Sequence, residues 1–351
     1  MRKLLIVLVS LALGLSSVAS LLKPFNTASL LPEASPAKEG EATFSPAPSE
    51  APTATLEPTP TVEPTPSPTP EPTPTPTPAP TPTAEPGLIA RSLPIDRSPG
   101  AQPIKENFQG EWTYEDSSIR VKVEKVKAYD TDCYVAKITI GDPSQLRTET
   151  AAQSWKYDRA APGAKIAQRV RSVIAVNGDY YSYIKGGYMI RQGEKFRDYP
   201  DPRRDVLLID DKGDFHIVEC ATHEKLAPYE DKKIINSFNF GPGLIIDGQK
   251  GTNMRDNDNG LNLLRRRVAI GQAGHLTYYL FVTDSNHEQS RGMTIPEFQD
   301  FVSTYPLINC YNLDGGNSAN LMIGDERVNA LEYPHMRSIV DIVYFASTEG
   351  L

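Results

Sequence analysis

Beyond about residue 104, apolar positions fall mostly in short runs and alternations of the period that strands impose. Ile119-Arg120-Val121-Lys122-Val123-Glu124 alternates cleanly, as a strand with one wet face does. Cys133 to Ile140, Val173 to Val176, Val206 to Ile209, Phe215 to Val218 and Gly243 to Ile246 add apolar strands. So do Val268 to Ile270, Leu276 to Val282, Leu307 to Leu313 and Ile339 to Phe345. Helical spacing is rare. Gly163 to Arg171 places Ile166 and Val170 four residues apart, and Thr294-Ile295-Pro296-Glu297 reads as a capping box opening a helix through Phe301. The pattern predicts an α+β fold: an extensive mixed or antiparallel sheet with a few helices packed on it, in a single domain over residues 104–351.

The front of the chain predicts no fold. Met1-Arg2-Lys3, the uncharged apolar run Leu4 to Leu15 and the small residues Ser16 to Ser20 read as an export signal over 1–20, cleaved near Ala19 or Ser20 or kept as an N-terminal membrane anchor. Residues 21–90 form a Pro/Thr-rich linker, nearly a strict Pro-Thr repeat from Pro58 to Pro82. Proline fixes φ and removes donors, so this stretch builds neither sheet nor helical core. As an extended polyproline spacer it reaches on the order of 100 Å over roughly forty residues. Signal and stalk together place the protein at the cell surface or outside the cell.

Charge and cysteines narrow the function. A net charge of −8, with Arg265-Arg266-Arg267 as the one basic cluster, argues against a nucleic-acid partner. Cys133, Cys220 and Cys310 show neither CxxC nor Cys/His spacing, so they read as ordinary buried cysteines. The run Asp256-Asn257-Asp258-Asn259-Gly260 resembles a calcium loop, but setting Gly260 at the sixth position puts Arg255 first and Arg266 twelfth, where acids are required. No metal and no cofactor are expected.

Four polar clusters sit where apolar strands begin or end: Asn177-Gly178-Asp179-Tyr180-Tyr181, Arg267, Thr283-Asp284-Ser285, and Asn312-Leu313-Asp314-Gly315-Gly316-Asn317-Ser318. The last also fits a plain strand-turn-strand hairpin, since Asp-Gly and Gly-Asn are common turn dipeptides. Converging on one sheet rim, the four would suit a polar, sugar-sized ligand.

Their wording and order resemble the phosphodiester glycosidase family, which includes the lysosomal uncovering enzyme. The likeness runs from Val173 to Phe345. Asn177-Gly178-Asp179-Tyr180-Tyr181 matches an Asn-Gly-Gly-Phe-Phe-like turn, and Pro242 to Gly248 a Pro-x-Leu-Ile-x-x-Gly segment. Arg267-Val268-Ala269-Ile270-Gly271 looks like Arg-Thr-Ala-Ile-Gly, Gly292 to Glu297 like a helix start, and Asn312 to Ala319 like Asn-Leu-Asp-Gly-Gly-Gly-Ser-Ser. Asp179, Asn317, Ala319 and Val268 depart from that pattern in polarity or volume. The resemblance implies an exported hydrolase acting on a sugar 1-phosphodiester or related linkage of a cell-surface glycan, phosphoglycan or exopolysaccharide.

In that chemistry the leaving group is a phosphate monoester, so less acid assistance is needed than the carboxyl pair of ordinary glycoside hydrolysis. The catalytic candidates are Asp314 as carboxylate, Arg267 as a bidentate phosphate clamp and Asp284 as a partner acid. Asn177, Gly178, Asp179, Tyr180, Asn312, Gly315, Gly316, Asn317 and Ser318 are the substrate-binding candidates. The alternative is a non-catalytic carbohydrate or cell-wall binding module of the same fold. An acyl-transfer reading of Ser182-Tyr183-Ile184-Lys185 lacks its companion Ser-Asp-Asn and Lys-Thr-Gly motifs.

Overall fold

The computed structural model describes residues 100–156, 158–254, 260–285, 288–324, 326–330 and 337–351. The chain divides into units 1–74 and 75–351, and every described residue belongs to the second. The export signal, the linker and the Asp256 to Asn259 run lie outside the described residues. Gly100 and Ala101, ahead of the expected start at Ile104, are already bonded to Val170 and Ser347.

A nine-stranded sheet carries most of the predicted strands. Its spatial order is Phe108–Gln109, Thr113–Glu115, Ile119–Ala128, Thr131–Ile140, Thr277–Thr283, Val268–Gly274, Asn309–Leu313, Gly243–Ile246 and Gln249–Lys250. A five-stranded sheet runs Glu326–Arg327, Leu321–Ile323, Ser172–Asn177, Asp341–Ala346 and Leu146–Thr150. Val206–Asp210 is flanked by Phe215–Val218 and Ile234–Phe238, and Gly187–Arg191 pairs with Glu194–Tyr199. Every pairing is antiparallel.

Burial explains the patterns. Ile119, Val121 and Val123 point into the main core while Lys122 and Glu124 are exposed, because only one face of that strand is covered. Its neighbour Thr131–Ile140 is buried at every position but Lys137, because it is covered on both sides. Val121, Ile138, Ile270 and Leu313 pack in one core with Val173, Val176, Leu321 and Phe345 of the five-stranded sheet. On the outer face, Ile295, Phe298 and Val302 of the helix Ile295–Val302 pack with Cys133, Ala269 and Phe281. That helix opens as the sequence predicts, with Thr294 and Glu297 bonding each other's main-chain N–H groups. A second helix, Gly163–Arg169, lays Ile166 and Ala167 against Ala175 and Tyr344. A third, His223–Leu226, was not anticipated.

The turn after Leu313 is not a hairpin. Asn309–Leu313 pairs within the nine-stranded sheet, whereas Leu321–Ile323 pairs with Ser172–Asn177 in the five-stranded sheet, so residues 314–320 carry the chain between sheets. Two bonds stitch the sheets together there, Asp314 N–H to Gly178 O at 3.2 Å and Asn177 Nδ2 to Asp314 O at 2.6 Å, while Gly178 N–H to Asp341 O at 3.0 Å extends the pairing within the five-stranded sheet.

Candidate functional site

Beside that seam lies a cavity of about 710 Å³, within the range that takes a drug-sized or oligosaccharide ligand. Leu313 to Asn317 line it on one side. The crossing needs its glycines: a Cβ on Gly315 would stand 2.4 Å from Arg266 O, and Gly316, at φ +56°, donates its N–H to that same oxygen at 2.9 Å. On another side Tyr180 and Tyr183 stack with ring centroids 3.9 Å apart and 9° between planes. Tyr183 is 55% exposed, so an apolar ring face is offered to a ligand. Among the described residues, Lys185, Arg203, Arg204, Arg265, Arg266, Arg267 and Arg337 line the cavity against two acids, Asp201 and Asp314, so these side chains give it a positive field although the chain is acidic.

Asp314 is the one acid of the cavity that faces no salt-bridge partner among the described residues. Burial pushes its carboxyl up to about 6, opposed by bonds from the Ser318 hydroxyl and the Gly315 N–H and by the charge of Arg337. Behind it a chamber of about 30 Å³, room for one water, is lined by Asn177, Gly178, Ser318, Arg337, Asp314 and a further acid, Asp341. Asp341 is buried, and Oδ2 has no hydrogen-bond partner, with Arg191 Nη2 3.8 Å away. Burial above all, then the charge of Asp179, drives its carboxyl up to about 8, while Arg191 pulls it down and Asp314 raises it further. The sequence places Asp341 only inside a predicted strand. The available signal was an acid within the apolar run Ile339-Val340-Asp341-Ile342-Val343.

Of the sequence candidates, Asp314, Arg267, Tyr180, Gly315, Gly316 and Asn317 line the cavity, and Asn177, Gly178 and Ser318 line the chamber. Asn177 is a clasp, holding Asp314 O with Nδ2 and accepting Asn320 N–H at Oδ1. Three candidates line neither space. Asp179 is turned inward, 2.8 Å from Arg191 Nη2 and accepting Asn239 N–H at 2.9 Å. Asn312 donates to Gly241 O from within the core. Asp284, expected as the partner acid, is fully buried behind the wall at 3.8 Å from Arg266 Nε. It can steady Arg266 but does not reach a ligand in the cavity.

Arg267 also differs from expectation. Its Nε donates to Met293 O at 2.8 Å, and its Nη2 to Gly260 O at 2.9 Å and Leu263 O at 2.6 Å. The guanidinium thus ties down the cavity wall, and the fork intended for phosphate is largely spent on main-chain carbonyls. Burial lowers its pKa to about 10, which leaves it charged at neutral pH. Arg337, missed in the sequence, lies 5.9 Å over the Tyr180 ring and acts on the Asp314 carboxyl. Cys133 and Cys310 are buried free thiols, but Cys220 is partly exposed. Among the described residues no group of three His, Cys, Asp or Glu side chains is arranged to hold a metal.

A family model described as phosphodiester glycosidase matches residues 171–346. The SPbeta prophage-derived uncharacterized protein YomE of Bacillus subtilis (strain 168) is 26% identical over 182 residues, 50% of this chain. The chain matches only 28% of the length of that relative. Among solved structures, the catalytic domain of zebrafish N-acetylglucosamine-1-phosphodiester α-N-acetylglucosaminidase, auto-inhibited by its pro-peptide, is similar in fold. It superposes with a TM-score of 0.53 at 13% identity, over 70% of this chain and 87% of that one. A hypothetical protein from Synechocystis aligns at a TM-score of 0.47 and 14% identity, over 65% and 62% of the two chains.

Proposed function

This chain belongs to the phosphodiester glycosidase family, and we propose that it hydrolyses a sugar 1-phosphodiester in a cell-surface or extracellular glycan, with Asp314 as the carboxylate at the reacting carbon. One observation carries the reading. Among the described residues, Asp314 is the one carboxylate without an ion pair in a cavity to which Lys185 and six arginines contribute, with a stacked tyrosine pair beside it. A sugar ring rests on the exposed face of Tyr183, and the phosphodiester anion lies toward Arg337.

The bond from C1 of the sugar to the phosphate oxygen breaks, and its electron pair leaves with the phosphate monoester, whose developing charge faces Arg337. Water forms the new bond to C1 and gives its proton to Asp314. A carboxyl at about 6 is suited to that task near neutral pH, since it is mostly ionised yet still basic. Asp341, pushed up to about 8, keeps its proton there, so that a second full negative charge does not stand beside Asp314. Arg267 and Asp284 are positioning residues in this reading, the first through the wall carbonyls and the second through Arg266. The apolar leader and Pro-Thr stalk support export, with the domain held away from the surface.

The test is to incubate the purified protein with N-acetylglucosamine-1-phosphoryl-methanol and follow phosphorus by NMR and sugar by reducing-end assay. The parent releases methyl phosphate and free sugar, and Asp314→Asn loses roughly 10²- to 10⁴-fold in kcat/KM. A parent that binds this compound without cleaving it is a binding module instead.

A further inference from the structure

We propose that the cavity takes a glycan carrying phosphate on successive units, with Lys185 and Arg265 forming a second-anion subsite beyond the linkage that Asp314 and Arg337 face. The inference rests on the reading above and deepens it to a substrate class.

The positive charge around the cavity is unevenly neutralised. Of the seven cations around the cavity, Arg203 is bonded twice to Asp201, at 3.0 and 2.9 Å, and Arg204 lies 4.0 Å from the same carboxylate. Arg266 is backed by Asp284, and Arg267 is tied to three main-chain carbonyls. Among the described residues, Lys185, Arg265 and Arg337 line the cavity without any ion pair. One phosphodiester carries a single negative charge, which Arg337 beside Asp314 already answers. Two cations are left over.

Their placement is what points to a longer ligand. Lys185 comes from the segment after the tyrosine pair and Arg265 from the segment leading to Arg267, so two separate segments each contribute surplus charge to the one cavity. Both are carried on tethered backbone. Arg265 exchanges two main-chain bonds with Met293, at 3.2 and 3.0 Å, and the carbonyls flanking Lys185, of Ile184 and Gly186, both accept from Arg197 Nη1. Arg265 stands close enough to Arg267 to repel it: after burial, its charge is what depresses the pKa of Arg267. In a chain of net charge −8, carboxylates are plentiful, yet among the described residues none forms an ion pair with these cations. A repeating anionic ligand relieves the repulsion, and a cavity of about 710 Å³ accommodates more than one sugar phosphate unit.

The experiment measures binding, so that it does not depend on turnover. A synthetic tetramer of N-acetylglucosaminyl 1-phosphate units, the monomer N-acetylglucosamine-1-phosphoryl-methanol and a tetragalacturonate are titrated against the purified protein by calorimetry over a salt series. Parent is compared with the Lys185→Ala/Arg265→Ala double variant, after thermal unfolding shows both folded. The tetramer should bind at least about tenfold more tightly than the monomer at low salt, with a preference that falls as salt rises and shrinks to within about threefold in the variant. Equal binding of tetramer and monomer, or a preference the variant keeps, overturns the proposal. Tetragalacturonate binding as tightly as the phosphate tetramer overturns the assignment of phosphate. The expected preference without any sugar release would sustain the subsite while removing the hydrolase reading.

Discussion

Replacing Asp179 with asparagine tests how the site is held from behind. The carboxylate lies 2.8 Å from Arg191 Nη2, both side chains are buried, and the guanidinium sits 4.5 Å from the Phe238 ring centroid and 5.2 Å from that of Trp155. Asparagine keeps the shape and removes the charge, leaving Arg191 buried with one remaining acid, Asp341, at 3.8 Å. Breaking a buried pair in this way costs about 3–5 kcal/mol. Part returns, because without Asp179 the Asp341 carboxyl ionises more readily, and each pKa unit by which it falls is worth about 1.4 kcal/mol. The net loss is therefore about 2–4 kcal/mol, or roughly 5–15 °C in Tm for a domain of this size. Its pH dependence has a definite sign. In the parent, the proton on Asp341 contributes stability at low pH that is lost as pH rises through about 8. In the variant that group titrates lower, and only its ionised form neutralises Arg191, so the deficit is larger near pH 5 than near pH 8. Urea unfolding at both pH values measures it. A variant within about 0.5 kcal/mol of the parent, or a deficit that grows with pH, would refute the reasoning.

Three further outcomes are expected. The kcat/KM for a sugar 1-phosphodiester rises with pH through about 6 as Asp314 loses its proton, and that limb disappears in Asp314→Asn, as a pH-rate profile will show. Gly178→Ala places a Cβ 2.1 Å from Asp341 Oδ2 and 2.4 Å from its Cγ, and thermal unfolding should register a loss of about 1–3 kcal/mol. Arg267→Lys keeps the charge but not the three wall bonds, so stability falls by about 2 kcal/mol, whereas a tenfold rise in KM at unchanged stability would restore it as a phosphate clamp.

The sequence was most readable where periodicity and burial share one cause. Phe215–Val218 and Gly243–Ile246 fall on their expected bounds, and the antiparallel sheets with short helices agree with the expected α+β class. Leu146–Thr150 went unseen because Leu-Arg-Thr-Glu-Thr holds one apolar residue, and it is buried by pairing with Asp341–Ala346. Ile234–Phe238 has no alternation to detect, since all its positions are buried. The Asp314 turn was legible because its glycines and acid serve one local crossing. Asp179 and Asp284 have the right chemistry at the right strand ends, but their direction is decided by Arg191 and Arg266, which come from other segments. Asp341 and Arg337 reach the site through the closing strand of the five-stranded sheet and the residues before it, a placement that local pattern does not carry.

Which bond is broken decides the chemistry, and isotope placement reads it directly. Hydrolysis of N-acetylglucosamine-1-phosphoryl-methanol in water enriched in oxygen-18, followed by mass analysis of both products, separates attack at carbon from attack at phosphorus. Cleavage of the C1–oxygen bond puts the label on C1 of the released sugar and none in methyl phosphate, and that is the expected result. Label in the phosphate would make the protein a phosphodiesterase of another kind and would remove Asp314 from the role given to it.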